Sequence, residues 1–176
     1  MKRNIYMTGF MGTGKTTVSR ILEKETGFEM VDTDEVIAGQ QNKSIREIFE
    51  SEGEGYFRNL ETELLRELGA TGGKIVSCGG GIVLREENVR LMKESGVVVL
   101  LTARPDTIFS RVRRGTDRPV LNRNMSLEYV DKLLEERMPY YQAAGEVIIT
   151  TDNRTPREIS GEINKILKNG KISFDF

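Results

Sequence analysis

The residues whose chemistry is clearest lie at positions 9–16, which read GFMGTGKT and match the pattern G-x-x-x-x-G-K-[ST]. Glycines in such a loop let backbone N–H groups converge on phosphate oxygens, and the following helix adds partial positive charge at its first turn. Lys15 can reach the terminal phosphates of a nucleotide, and the hydroxyl of Thr16 can bind Mg²⁺. The loop therefore predicts a site for a nucleoside triphosphate with magnesium, formed by Gly12, Thr13, Gly14, Lys15, Thr16 and Thr17.

A second group of chemical interest is the pair Asp32 and Asp34, which leave the end of a predicted strand. Alternation along a strand would send both carboxylates to the same side. One carboxylate could hold magnesium through water, and the other could hold, and deprotonate, a hydroxyl of the molecule that accepts the phosphate. Asp34 has an equally good alternative as the N-cap of a helix at 35–40.

Further candidate groups are ambiguous when each is taken alone. Arg58 and Glu61 share a helix face, which fits either a binding pair or an exposed ion pair worth about 0–1 kcal/mol. The glycines at 79–81 would let a small ligand lie against the backbone, or they form only a turn. Arg118 lies in a predicted loop and is either a solvated charge or a group that moves onto the transferred phosphoryl. Arg137 is either a ligand for an anion or a surface arginine.

The composition excludes several kinds of chemistry. The 176 residues include no histidine, which removes Ser-His-Asp hydrolysis, Cys-His proteolysis and histidine-ligated zinc. The single cysteine, Cys78, cannot form an intrachain disulfide and is expected to be a small buried residue. A net charge of −1 argues against general binding to nucleic acid or to an anionic membrane. The short apolar run at the start matches neither a signal peptide nor a membrane span, so we expect a cytoplasmic protein.

The elements that must position these groups alternate along the chain, as in an α/β protein. Short apolar runs predict five strands, at 5–8, 28–31, 74–78, 97–101 and 146–150. Helices are predicted between and after them, at 15–25, 35–40, 44–50, 55–68, 85–94, 106–112, 126–143 and 155–167. This alternation predicts a single three-layer α/β/α domain over 1–176, with a parallel sheet and right-handed crossovers.

The candidate residues share one position relative to the predicted strands. The phosphate-binding loop at 9–16, the two aspartates and the glycines at 79–81 each follow a strand. On parallel sheets, ligands bind beyond the carboxyl ends of the strands. We therefore expect these groups to meet at one edge of the sheet.

Taken together, these motifs resemble those of the shikimate kinase family. The resemblance covers roughly residues 3–167, and the similar motifs run in the same order and spacing. The phosphate-binding loop alone is common to many ATPases, whereas the combination of DTD, FR-x-x-E and three glycines is far more specific. The similar segments are GFMGTGKTT, DTD at 32–34, FRNLE at 57–61, GGG at 79–81, DRPVL at 117–121 and ER at 136–137 before MP.

The resemblance implies a P-loop kinase fold whose five-stranded sheet has the order 2-3-1-4-5. It implies a substrate-binding region at about 33–61 and a mobile lid at about 112–124. The implied reaction is transfer of the ATP γ-phosphate to the 3-hydroxyl of shikimate, an acidic cyclic triol. The products would be ADP and shikimate 3-phosphate, on the route to chorismate and the aromatic amino acids. The implied partners are ATP, Mg²⁺ and shikimate, without nucleic acid or membrane, and we expect a monomer.

The resemblance also implies roles for individual residues on the acceptor side. Asp34 would hold the hydroxyls of shikimate and is the candidate base. Arg58 and Arg137 would grip its carboxylate, and Gly80 would contact it through the backbone. Bidentate guanidinium groups suit a small carboxylate in a way that lysine cannot copy. The implied acceptor set is Asp34, Arg58, Glu61, Gly79, Gly80, Gly81 and Arg137.

On the nucleotide side, the resemblance implies that Lys15 and Arg118 stabilise charge on the transferred phosphoryl. Asp32 would support magnesium through water, beside Thr16. Arg111 would stack on the adenine ring. Pro156 would lie near the opposite face of that ring, which completes the implied ATP site.

Two other functions remain open at this point. The first is a related sugar-acid kinase of the same fold, such as a gluconate kinase. The DTD motif at 32–34 and Arg58 argue against it, because such enzymes form the acceptor site differently. The second is a regulator that binds nucleotide without catalysis, and the complete acceptor set argues against that function.

Overall fold

A computed structural model describes residues 3–114 and 126–169 of the chain. The described residues form one five-stranded sheet whose strands are all parallel, in the order β2-β3-β1-β4-β5. This order and the α/β class confirm the predicted fold. The strands are β1 (Asn4–Thr8), β2 (Glu29–Asp32), β3 (Lys74–Ser77), β4 (Gly96–Thr102) and β5 (Val147–Thr150).

Eight α-helices connect and cover the strands in the described part of the chain. Their ends lie within a few residues of the predicted ends, which is normal for boundaries read from sequence. The helices are α1 (Lys15–Thr26), α2 (Thr33–Gln41), α3 (Ile45–Glu52), α4 (Glu54–Thr71), α5 (Glu86–Ser95), α6 (Pro105–Arg114), α7 (Leu127–Ala144) and α8 (Pro156–Asn169).

The central strands are apolar on both faces, and this creates two separate hydrophobic clusters. In β1, Ile5 and Met7 pack with Leu22 of α1 and Ile163 of α8. Tyr6, between them, points to the other face and joins the cluster that includes residues of α2 to α7. Successive side chains of a strand face opposite sides, so each strand contributes to both layers of the core.

Local capping explains where some of the elements begin. Ser44 caps α3, because its hydroxyl accepts a hydrogen bond from the Glu47 amide while the Glu47 carboxylate accepts one from the Ser44 amide. This is the capping box predicted from the spacing of the two residues. Gly14 precedes α1 with φ 94°, a left-handed conformation that favours glycine.

Three features differ from the predicted elements or extend them. A short 3₁₀ turn, Ile82–Leu84, follows the three glycines and was not predicted. Helix α7 continues through Pro139 to Ala144. Residues 112–114 of the predicted lid at 112–124 belong to α6, and the rest of that segment lies outside the described residues.

None of the helices that the structure describes is sufficiently long and apolar to cross a membrane.

Candidate active site

The loop between β1 and α1 has the geometry of a phosphate-binding loop. The Lys15 Nζ atom donates hydrogen bonds to the carbonyl oxygens of Gly9 and Phe10, at 2.8 and 3.1 Å. The hydroxyl of Thr13 also donates to the Phe10 carbonyl, at 2.8 Å. These bonds hold the ammonium group over the loop, close to the N-terminus of α1, where an anion is favoured.

Three side-chain oxygens meet at the first turn of α1. The Thr16 hydroxyl donates to Asp32 Oδ2 at 3.2 Å, and its oxygen lies 3.1 Å from Ser77 Oγ. Asp32 and Ser77 are the last residues of β2 and β3, and Thr16 lies in α1, so the tertiary structure brings the three together. A hydroxyl and a carboxylate are hard oxygen donors that suit Mg²⁺, which keeps several waters and binds few protein ligands. The donor set therefore fits a hydrated magnesium ion bound next to nucleotide phosphates.

The two aspartates after β2 have different local roles. Asp32 is the last residue of β2 and the N-cap of α2, where its carboxylate accepts hydrogen bonds from the amides of Asp34 and Glu35. Asp34 lies within the first turn of the helix. The interpretation of Asp34 as the N-cap is therefore wrong, and so is the expectation that strand alternation orients both carboxylates. The helix begins two residues earlier than predicted, because Asp32 satisfies its first amides.

The three glycines after β3 lie against the acceptor residues. A Cβ atom placed on Gly79 would lie 2.6 Å from Asp34 Oδ1 and 3.2 Å from Glu61 Oε1. A Cβ atom on Gly81 would overlap the guanidinium of Arg58. The amide of Gly79 donates to Thr33 Oγ1 at 2.9 Å, which ties this turn to the start of α2. The glycine turn (residues 79–81) is thus where Asp34, Arg58 and Glu61 meet.

Arg58 and Glu61 form a buried ion pair on α4. Arg58 Nη1 lies 2.8 Å from Glu61 Oε2, and the side chains are 11% and 0% exposed. Burial raises the pKa of Glu61 to about 7, Arg58 opposes this rise, and nearby Asp34 adds to it. The alternative of an exposed pair is therefore wrong. Glu54, which is 62% exposed, is a second carboxylate partner of Arg58 at 2.9 Å.

Arg137 reaches the site from α7. Its guanidinium carbon lies 6.0 Å from the centroid of the Phe10 ring, at the phosphate-binding loop. It also lies near the hydroxyl of Tyr141, one turn further along the helix, and lowers the pKa of that group. That hydroxyl donates to the carbonyl oxygen of Gly80. Arg137 is therefore part of a network with the glycine turn, and the alternative of an isolated surface arginine does not describe it.

Arg111 lies beside the phosphate-binding loop on the nucleotide side. Its Nη1 atom donates to the Gly12 carbonyl oxygen at 3.2 Å and to Thr151 Oγ1 at 2.9 Å, and its Nη2 atom donates to the Thr151 carbonyl oxygen at 2.9 Å. Pro156 is the exposed first residue of α8, and Thr17 is an exposed residue in the first turn of α1. Arg111 thus connects α6, the phosphate-binding loop and the segment after β5.

The structure brings together all the predicted acceptor residues that it describes. Arg118, the predicted lid residue, lies outside the described residues. Sequence reasoning did not single out Thr33, Tyr141 or Thr151 as part of the site. The signals for the first two were available, because Thr33 lies between the two aspartates and Tyr141 is four residues after Arg137 on one helix. No local pattern pointed to Thr151.

Comparisons with known proteins agree with this geometry. A family model described as shikimate kinase matches residues 11–168 of the chain. A shikimate kinase of Thermodesulfovibrio yellowstonii is 40% identical over 172 residues, which are 96% of this chain and 99% of that relative. One from Bacillus cereus strain AH187 is 42% identical over 163 residues, covering 93% and 97% of the two chains.

Solved structures show the same similarity in three dimensions. A shikimate kinase from Acinetobacter baumannii, solved in complex with shikimate, has a TM-score of 0.89 at 32% identity and covers 98% of this chain and 97% of its own. A shikimate kinase from Aquifex aeolicus has a TM-score of 0.78 at 31% identity, with coverage of 94% and 96%. The match to the family model and the identity over almost the full length show that this chain belongs to the shikimate kinase family.

Proposed function

We propose that the carboxyl edge of this sheet is an active site that transfers the γ-phosphate of ATP to the 3-hydroxyl of shikimate. Membership of the shikimate kinase family supports this reaction. The observation that carries the proposal is the contact between the acceptor residues and the phosphate-binding loop. A Cβ atom on Gly80 would lie 3.9 Å from the Gly9 carbonyl oxygen, and the neighbouring Gly79 and Gly81 lie against Asp34 and Arg58.

On the donor side, the phosphate-binding loop and Lys15 bind the phosphates of ATP. Lys15 Nζ is already held above the loop by two carbonyl oxygens, so it approaches the terminal phosphates without a large movement. Phosphoryl transfer depends mainly on positioning and charge stabilisation. We propose that Arg111 stacks on the adenine ring, and its bonds to Thr151 keep its guanidinium in a defined plane. Arg118 remains a predicted partner of the transferred phosphoryl.

On the acceptor side, Arg58 and Arg137 bind the carboxylate of shikimate, and Asp34 binds its ring hydroxyls. The Glu61 carboxylate holds the Arg58 guanidinium through Nη1, at 2.8 Å. Glycines at 79–81 leave room for the ring against the backbone, because a Cβ at Gly79 would occupy space beside Asp34. Asp34 is placed to accept the proton of the attacking hydroxyl as the phosphate is transferred.

We propose that Mg²⁺ binds together with ATP, near Thr16 and Asp32. When present, the ion would neutralise charge on the phosphates. The Thr16 hydroxyl would bind the ion directly, and Asp32 would hold its waters, with Ser77 next to both. Removal of divalent cations with a chelator should therefore abolish turnover, and added Mg²⁺ should restore it.

The decisive experiment measures ADP release with a coupled assay, with shikimate and gluconate in parallel and ATP and Mg²⁺ in excess. We expect ADP release that depends on shikimate and no release above background with gluconate. Turnover with gluconate alone would refute the proposed acceptor. Tight binding of ATP without transfer to either acid would instead favour a regulator that binds nucleotide.

We also infer that the enzyme works as a monomer in the cytoplasm. The acceptor and nucleotide residues described here come from a single chain, so the site needs no second copy. The use of ATP as co-substrate suits an ATP-containing compartment such as the cytoplasm. Light scattering during size-exclusion chromatography would contradict the first part if it gave twice the mass of 19.9 kDa.

A further inference from the structure

Tyr141 joins two parts of the acceptor site through one hydroxyl group. The hydroxyl donates to the carbonyl oxygen of Gly80 in the glycine turn. The guanidinium of Arg137, one turn earlier on α7, lies close enough to the same hydroxyl to lower its pKa. The Gly80 backbone and the Arg137 guanidinium, which are proposed to bind the acceptor, therefore both adjoin the hydroxyl of Tyr141.

The surroundings of Tyr141 suit such a connection. The side chain is 1% exposed, and its ring belongs to the buried cluster that also contains Phe10 and Ile82. Packing therefore fixes where the ring lies and how far the hydroxyl reaches. Burial raises the pKa of Tyr141 to about 12, although Arg137 and Arg58 oppose the rise. The hydroxyl consequently keeps its proton at neutral pH and can donate it to the Gly80 carbonyl.

A bond to the Gly80 carbonyl also orients the next amide of the turn. The C=O of Gly80 and the N–H of Gly81 belong to one planar trans peptide and point in opposite directions. Holding the carbonyl towards α7 therefore turns the Gly81 amide away from α7. On the preceding residue, the Gly79 amide is held by Thr33 Oγ1 at 2.9 Å. Side chains from two helices thus hold the glycine turn at the peptide before Gly79 and at the peptide after Gly80.

We propose that Tyr141 is a positioning residue for the phosphate acceptor, because its hydroxyl sets the Gly80 backbone and the Arg137 guanidinium relative to each other. Tyr141 itself does not take part in the transfer. This inference rests on the proposed function of the site. In this inference Tyr141 contributes to the affinity for the acceptor. It does not contribute to the binding of ATP by the phosphate-binding loop or by the rest of the nucleotide site.

The test is Tyr141→Phe, which removes the hydroxyl and keeps the ring. The matched control is Tyr140→Phe, because the adjacent tyrosine is 51% exposed. Leaving a buried carbonyl without its donor should weaken shikimate binding, and we expect the shikimate KM to rise about tenfold. The ATP KM should stay within about twofold, and kcat should change by less than about threefold, which is the pattern of lost acceptor binding. Tyr140→Phe should match the wild type.

A double-mutant cycle with Arg137→Lys adds a measurement that packing alone would not affect. If Tyr141 acts partly through Arg137, the two KM effects should combine to less than their product. Fully multiplicative effects would overturn the coupling between the two residues. An unchanged shikimate KM in Tyr141→Phe, an equal rise in both KM values, or a variant that unfolds below the assay temperature would each overturn the positioning role. A wild-type protein that releases no ADP with shikimate would instead refute the proposed function.

Discussion

The buried carboxyl of Glu61 predicts an unusual dependence of stability on pH. Glu61 is fully buried and forms an ion pair with Arg58 at 2.8 Å. Its pKa nevertheless rises from the ordinary value of 4.5 to about 7, because burial outweighs the arginine and Asp34 adds repulsion. The folded protein therefore holds a proton on Glu61 over a pH range in which the unfolded chain has released it.

The sign and the size of the effect follow from that difference. Below about pH 4.5 both states are protonated, and the full stabilising contribution is present. As pH rises from about 4.5 to about 7, the unfolded chain loses the proton first, so the free energy of unfolding falls. Since one pKa unit corresponds to about 1.4 kcal/mol, the contribution lost by about pH 8 is ~3 kcal/mol.

The variant Glu61→Gln removes this titration and keeps the shape of the side chain. Urea unfolding at several pH values between about 5 and about 8 measures the free energy of unfolding of the wild type and of Glu61→Gln. We expect the wild type minus Glu61→Gln difference to fall steadily over this range. The control is Glu54→Gln, which removes the exposed partner of Arg58 and should give a curve parallel to the wild type. A wild type minus Glu61→Gln difference that is constant, or that increases with pH, would refute the reasoning.

Three other predictions concern turnover. Lys15→Met should abolish shikimate-dependent ADP release, because the phosphates lose their main side-chain partner; near-normal kcat would contradict this. Arg58→Lys should raise the shikimate KM about tenfold or more with an unchanged ATP KM, since paired hydrogen bonds are lost; an unchanged shikimate KM would contradict the assignment. Gly79→Ala would place a Cβ atom 2.6 Å from Asp34 Oδ1 and should lower kcat/KM for shikimate at least about tenfold. Its control is Gly55→Ala, whose Cβ would meet nothing within 4 Å, and equal kinetics for these two variants would rule out the steric argument.

Comparison of sequence and structure shows which inferences local patterns support. The phosphate-binding loop, the capping box of Ser44 and Glu47 and the helical and strand segments depend on neighbours within a few residues, and all were predicted. The N-cap of α2 was not predicted, because only Asp34 was considered for this position, although aspartate at residue 32 suits an N-cap equally well. In the structure Asp32 is the N-cap, because its carboxylate accepts hydrogen bonds from the amides of Asp34 and Glu35.

The amino-acid sequence by itself determined the α/β alternation, the nucleotide loop and, through its motifs, the family. Only the tertiary structure decided that Glu61 is buried with a raised pKa, that Ser77 lies within hydrogen-bond distance of Thr16, and that Tyr141 of α7 holds the glycine turn. The physical reason is distance along the chain. Periodicity and capping depend on adjacent residues, whereas burial, desolvation and the pairing of remote groups depend on how separate helices pack over the sheet.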